Sequence, residues 1–278
     1  MRATGTANRL QKMNAFTLRR FEQGDLAMVV RTYGAAEWSN RDDDQPLSFV
    51  LVHGIGASSR YYEPLAGRLR KYGIVHLVEL PGFGASPEPE HPLGIEAFAR
   101  LVIGMCDAWN IPNRVIVGHS MGAQVATEFA VRAPEQVVSV VLVGPVVDPS
   151  APTAFGQALR LLRDVLAEPP RANWIVASDY LRCGPRWYLA QLPAMLEYRI
   201  EERLLRVLPA TLVIRGADDP VAPSDWVRHL AQLAPHGRAL EVPGSSHVVH
   251  FDACDLVADA IASHAAEARS DRARGPEW

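Results

Sequence analysis

The chain has 278 residues, 48% of them hydrophobic and 21% charged, with a net charge of −3. This suits a single soluble globular domain with a large core, and the charge offers no electrostatic footing for nucleic acid or an anionic membrane. Cys106, Cys183 and Cys254 are isolated, no apolar run spans a membrane, and Met1 to Phe16 lacks the apolar centre of a secretory signal, so a reduced, cytoplasmic protein is expected.

In chain order, short apolar runs alternate with helical patterns. Strands are predicted at Leu26 to Tyr33, Phe49 to Val52, Gly73 to Val78, Val115 to Val117, Val138 to Val143, Thr211 to Ile214 and Ala239 to Val242. Several are near-continuous Val, Ile and Leu, as in parallel strands buried on both faces. Helices are predicted at Tyr61 to Tyr72, Ile95 to Trp109, Ala123 to Ala133, Ser224 to Ala234 and Asp252 to Ala266. The alternation implies an α/β architecture, a mostly parallel twisted sheet flanked by helices, with ligands at the carboxyl ends of its strands. The stretch 148–208 breaks the rhythm. It carries helical patterns, Phe155 to Leu166 and Trp187 to Arg206, punctuated by prolines and rich in Trp and Tyr. It reads as a helical cap inserted into a core domain of residues 15–147 and 209–266, with flexible termini at 1–14 and 267–278. Most of its aromatics are expected to pack the insertion onto the body, and Trp187 and Tyr188 are the ones assigned to substrate contact.

Five blocks stand out. Gly118-His119-Ser120-Met121-Gly122 lies between the run Val115-Ile116-Val117 and a helical stretch, so a serine stands at the apex of a strand-turn-helix. His53-Gly54-Ile55-Gly56 follows an earlier strand; alone it is an ordinary glycine-rich turn. Neither it nor Gly82-Phe83-Gly84 completes Gly-x-Gly-x-x-Gly, which disfavours a dinucleotide cofactor. Glu79-Leu80-Pro81-Gly82-Phe83-Gly84-Ala85-Ser86 reads as a structural turn. Past the next-to-last strand stand two aspartates, Asp218 and Asp219, and past the last strand stands His247, giving the order Ser, Asp, His.

Together these blocks resemble the α/β-hydrolase fold superfamily, in its capped esterase and peptidase-like branch, from about residue 17 to 266. The resemblance implies a helical cap over a parallel sheet and a triad of Ser120, Asp219 and His247. The family's acid follows a glycine by three residues and precedes an apolar stretch with proline; Gly216 leads to Asp219 and Pro220, which selects Asp219 over Asp218. The family's histidine precedes an apolar-then-acid block, which selects His247 over His250. The implied oxyanion donors are the N–H groups of Ile55 and Met121, with His53, Gly54 and His119 lining the substrate site. The family has Asp where this chain has Glu79, a structural position. The implied activity is hydrolysis of an ester, thioester or related small acyl substrate. A carbon–carbon hydrolase, a non-hydrolytic cyclase or rearrangement catalyst, and a small-molecule-binding protein are the alternatives on this fold. No cofactor is called for, and no metal, since His247-x-x-His250 is not the zinc-binding His-Glu-x-x-His. A homodimer is one option that the pattern does not decide.

Overall fold

The computed structural model describes residues 16–39, 45–148 and 170–274. Among the described residues there are eight strands: β1 (Phe16–Gln23), β2 (Leu26–Tyr33), β3 (Leu47–Val52), β4 (Gly73–Glu79), β5 (Arg114–His119), β6 (Val137–Val143), β7 (Ala210–Gly216) and β8 (Gly237–Val242). They form one sheet in the order β1-β2-β4-β3-β5-β6-β7-β8. The pairings from β4 across to β8 are parallel, and β1 and β2 join antiparallel at one edge.

Seven of these strands overlap the apolar runs in the sequence. The eighth, β1, carries arginines and a glutamate, and only its Phe21 is buried. It lies at the sheet edge and takes its extended form from pairing with β2 through the two-residue loop Gly24-Asp25. An edge strand exposed on both faces has no apolar period to read.

The helices are α1 (Ala35–Trp38), α2 (Glu63–Leu69), α3 (Ile95–Ala108), α4 (Met121–Arg132), α5 (Pro170–Cys183), α6 (Pro185–Glu197), α7 (Ile200–Leu204), α8 (Ser224–Leu233), α9 (Val249–Asp252) and α10 (Cys254–Arg274). The long helix predicted from Tyr61 is shorter, a single 3-10 turn at Ser59–Tyr62 running into α2. The helical pattern from Trp187 to Arg206 is broken between α6 and α7, where Tyr198 turns extended and its hydroxyl bonds buried Glu128. The pattern Phe155 to Leu166 and the expected loose start at 1–14 lie outside the described residues. At the other end α10 runs to Arg274, beyond residue 266 where the sequence suggests a loose tail. Ala268 is buried on the body and Arg272 donates to the carbonyls of Val137 and Glu135, which hold the extra turns.

The pleat divides the interior. Val50, Val52, Ile116 and Leu142 point to one face and pack with α3, α4 and α8. Phe49, Leu51, Val117 and Val143 point to the other and pack with α2 and α10. Each fully buried Leu or Phe contributes about 2 kcal/mol, and burial of both faces is why the central strands lack polar alternation. The topology also fixes where the site must lie. From β3 the chain passes to β4 on one side, and β5 is laid on the other. The helices after β3 and β5 therefore cover opposite faces, leaving a crevice at the carboxyl ends of these two strands. The helices α5, α6 and α7 lie between β6 and β7 in the chain. Among the described residues no helix is long and apolar enough to cross a membrane.

Candidate active site

Ser120 stands between β5 and α4 with φ 56° and ψ −121°, a conformation that a non-glycine residue adopts only under constraint. The constraint is visible. Its N–H donates to Val143 O on the neighbouring strand (2.9 Å), and its carbonyl begins the helix by accepting from Ala123 N (3.0 Å). A side chain at Gly118 would strike the carbonyl of Gly122, and one at Gly122 the carbonyl of Val52, so both flanking glycines are required by close backbone approach. The Met121 amide is the first of α4, where N–H groups lack intrahelical partners and the helix dipole is positive.

The turn after β3 lies against the serine. A Cβ built on Gly54 would come within 3.0 Å of Ser120 Cβ and 3.4 Å of its Oγ. The Ile55 N–H shares a peptide plane with Gly54 C=O, and that carbonyl accepts from His53 Nδ1 (2.8 Å) and Ala57 N (3.3 Å). Fixing one end of a planar trans peptide fixes the other, so these bonds aim the Ile55 amide. His53 is fully buried, and its Nε2 accepts from Leu80 N (3.1 Å), so the ring joins the turns after β3 and β4. Burial, before any other influence, lowers its pKa. Glu79, at the position noted as unusual, is buried and accepts from Ser59 Oγ (2.6 Å) and Ala85 N (2.7 Å), pinning the loop Pro81 to Ser86.

His247 and Asp219 come together from the loops after β8 and β7, with His247 Nδ1 2.9 Å from Asp219 Oδ2, both buried. Asp219 Oδ1 accepts from Val221 N (2.7 Å) and Ala222 N (3.0 Å). Burial pushes this carboxyl up, and His247 with the two amides outweighs burial, leaving its pKa below the usual value. The adjacent Asp218 is exposed. His119, next to the serine, is buried between the rings of His247 (4.6 Å) and His250 (4.5 Å). Burial first, then those two histidines, hold its pKa well below 6.5. His250 is fully buried against Tyr61 and Tyr62, and burial lowers its pKa to about 3.

Several residues that shape this site carry no motif. Arg215 is buried at the end of β7. Its guanidinium donates to the carbonyls of Ala222 (2.8 Å), Ala217 (3.1 Å) and Asp219 (3.1 Å) and pairs with Glu241, so it moulds the loop that bears Asp219. Its only signal is a cation ending an apolar run. Gly144, after β6, has φ +52°, and a Cβ there would lie 2.9 Å from His247 Nδ1 and 3.3 Å from Asp219 Oδ2. It leaves room for the pair beside Val143, the residue that holds the Ser120 amide. The signal was a glycine ending a strand, which many turns share.

The insertion meets the same turn. Tyr180 and Tyr188 meet edge to face at 5.5 Å, and their rings press on Gly56, which has φ +74°. Trp187 is buried with its indole against Gly82. Asp179 is buried and accepts from Ser58 N (3.1 Å), Ser58 Oγ (2.6 Å) and Arg60 (3.0 Å), joining α5 to the turn that follows Ala57. Among the described residues no group of three His, Cys, Asp or Glu side chains is placed to hold a metal.

Comparisons with known proteins identify the family and the fold. Residues 49–260 match the family model described as the alpha/beta hydrolase family. The pimeloyl-[acyl-carrier protein] methyl ester esterase of Vibrio cholerae is 27% identical over 239 residues, covering 77% of this chain and 91% of that protein. The biotin biosynthesis bifunctional protein BioHC of Cellvibrio japonicus is 28% identical over 229 residues, covering 73% of this chain. The chain spans under half the length of the first two curated relatives it matches, 26% and 44%. Among solved structures, a membrane phospholipase A described as a bacterial virulence factor superposes with TM-score 0.78 at 17% identity, covering 96% of this chain and 91% of that one.

Proposed function

The chain belongs to the alpha/beta hydrolase family, and from that premise we propose that it is a serine hydrolase cleaving an ester, thioester or related small acyl substrate. The observation that carries the reading is the buried His247–Asp219 pair at 2.9 Å, its imidazole 4.6 Å from the ring of His119, the neighbour of a strained serine at a helix N-terminus. Ser120 Oγ attacks the carbonyl carbon while His247 Nε2 accepts its proton. Asp219 keeps the other ring proton on Nδ1 and stabilises the imidazolium that forms. The oxyanion develops against the amides of Ile55 and Met121, where loss of one donor costs about 3 kcal/mol of barrier. His247 returns the proton to the leaving group, and the bond to it breaks. A water deprotonated by His247 then attacks the acyl-enzyme, releasing the acid and regenerating Ser120. The esterase activity of the Vibrio cholerae relative supports an acyl ester as the substrate class.

The helices α5 and α6 act in this reading as a cap. Their Tyr180 and Tyr188 cover the oxyanion turn, and Trp187 with Tyr188 borders the acyl pocket. His53 serves as a positioning residue for Gly54 and Ile55. The test is labelling by a fluorophosphonate and turnover of p-nitrophenyl esters of graded chain length. The wild type should be labelled and turn over, and Ser120→Ala should do neither. A folded wild type that is not labelled and hydrolyses none of the esters overturns the reading.

A further inference from the structure

A line of buried hydrogen bonds runs behind the proposed catalytic groups and takes no part in the proton transfers. Gly54 N lies 2.9 Å from Tyr61 Oη, Tyr61 Oη 2.9 Å from His119 Nδ1, and His119 Nε2 3.1 Å from His247 O. The ends of this line determine its polarity. The Gly54 amide can only donate and the His247 carbonyl can only accept. His119 Nε2 therefore carries a proton and gives it to the carbonyl. In the neutral ring Nδ1 is then an acceptor and takes the Tyr61 hydroxyl proton, and the hydroxyl oxygen receives the Gly54 N–H. Each proton in the line has one position. We infer that Tyr61 and His119 form a positioning relay that locks the oxyanion turn to the loop bearing His247.

The geometry explains why such a link matters. Gly54 sits between two peptides. The one that bears the Ile55 N–H is held through its carbonyl by His53 and Ala57. The one that bears the Gly54 N–H is held only by Tyr61 among the bonds described here. Releasing it lets Gly54 swing against Ser120, whose Oγ lies 3.4 Å from the glycine's Cβ position. At the far end the relay holds the backbone of His247 itself, while Asp219 holds its ring. Both halves of the machinery, oxyanion donor and base, thus refer to one neutral histidine. The groups facing that ring are His247, His250, His53, Tyr61 and Tyr62, and the rings of Tyr61 and His250 meet edge to face at 4.5 Å. A second positive charge on His119 would face the imidazolium that forms on His247, so a neutral ring also suits the reaction.

This inference rests on the serine-hydrolase reading, and the test separates the two. Tyr61→Phe removes one oxygen and keeps the ring that packs against Tyr62 and His250. His119→Leu removes both hydrogen bonds at similar volume, and His119→Gln retains an amide donor for His247 O. Kinetics on a p-nitrophenyl ester, inhibition by a trifluoromethyl ketone and amide exchange of residues 53–57 are measured alongside Tm. Tyr61→Phe and His119→Leu should lower kcat by about ten- to a hundredfold, short of or level with outright loss of a donor, with KM within twofold. Ketone affinity should weaken by the same factor as kcat/KM, exchange of residues 53–57 should quicken, and His119→Gln should lie nearer the wild type. A kcat within threefold of wild type in both variants overturns the relay. So does a loss that only follows the folded fraction and is no smaller in His119→Gln. If Ser120→Ala retains turnover, the hydrolase reading fails, and the relay is then judged by exchange alone. Unchanged exchange of residues 53–57 in Tyr61→Phe overturns it.

Discussion

Replacing Asp219 with asparagine isolates what its charge does. Oδ1 of the carboxylate accepts from the amides of Val221 (2.7 Å) and Ala222 (3.0 Å), and Oδ2 faces His247 Nδ1 (2.9 Å). An asparagine must present its oxygen to those two amides, because its nitrogen cannot accept. The nitrogen then faces His247, and two donors cannot bond one another. His247 responds by moving its proton to Nε2, the nitrogen that has to accept from Ser120. In a Ser-His-Asp triad the wrong tautomer and the missing negative charge together lower kcat by about 10⁴, about 5.5 kcal/mol of barrier, and the proposed mechanism predicts a loss of that size here. Stability should change little, because both amides keep an acceptor. Loss of charge assistance at those bonds is worth about 1 kcal/mol, or roughly 2–4 °C in Tm for a chain of this size. Asp219→Ala leaves both amides unpaired and should lower Tm further while giving a kcat loss of the same order. The assay is kcat on an activated acyl ester with Tm measured on the same preparations. Asp219→Asn retaining activity within tenfold of wild type, with Tm near normal, would refute the tautomer argument.

Gly56→Ala should destabilise by about 2–4 kcal/mol, since it adds a Cβ at φ +74° against the rings of Tyr180 and Tyr188. Gly24→Ala, at φ +63° with nothing within 4 Å, pays only the backbone penalty of about 1 kcal/mol, so comparing the two Tm values separates contact from conformation. Arg215→Met strips a buried cation from three carbonyls and from Glu241. Because Glu241 is half exposed, the cost falls on the carbonyls that lose their donor, about 3 kcal/mol by urea unfolding, with a lower kcat as the Asp219 loop loosens, while near-native stability would contradict that role. The buried histidines make acid destabilising. His76 is lowered by burial from 6.5 to about 4, so below pH 6.5 the unfolded chain binds a proton that the folded chain refuses. Its share of the stability lost between pH 6.5 and 5 is about 1.6 kcal/mol. His76→Gln should flatten the dependence of urea midpoint on pH over that range, and an unchanged slope would sink the assignment.

Much of this protein is legible in local sequence. Near-continuous apolar runs at β3, β5 and β6 announce strands buried on both faces, because burial leaves no polar period to keep. Gly118, Ser120 and Gly122 announce a sharp turn, because close backbone approach excludes other residues at the flanks. The order of Ser120, Asp219 and His247 follows from the order of the strands that carry them. What local pattern cannot hold is a contact made by the return of the chain. Only the family's spacing after Gly216 tells Asp219 from Asp218 in sequence, and it is the turn held by Arg215 that buries Asp219 on His247 and leaves Asp218 exposed. Strand β1 exists only because β2 is there to pair with it. Tyr61 and His119 are 58 residues apart, and His119 and His247 are 128 apart. Their hydrogen bonds form because the crossover of β3 and β5 brings those loops to one end of the sheet. Composition and spacing thus determined the kind of fold, and with the family resemblance they nominated Ser120, Asp219 and His247 as the candidate reacting side chains. Only the tertiary structure decided which atoms hold them in place, because buried polar groups find their partners through the path of the whole chain.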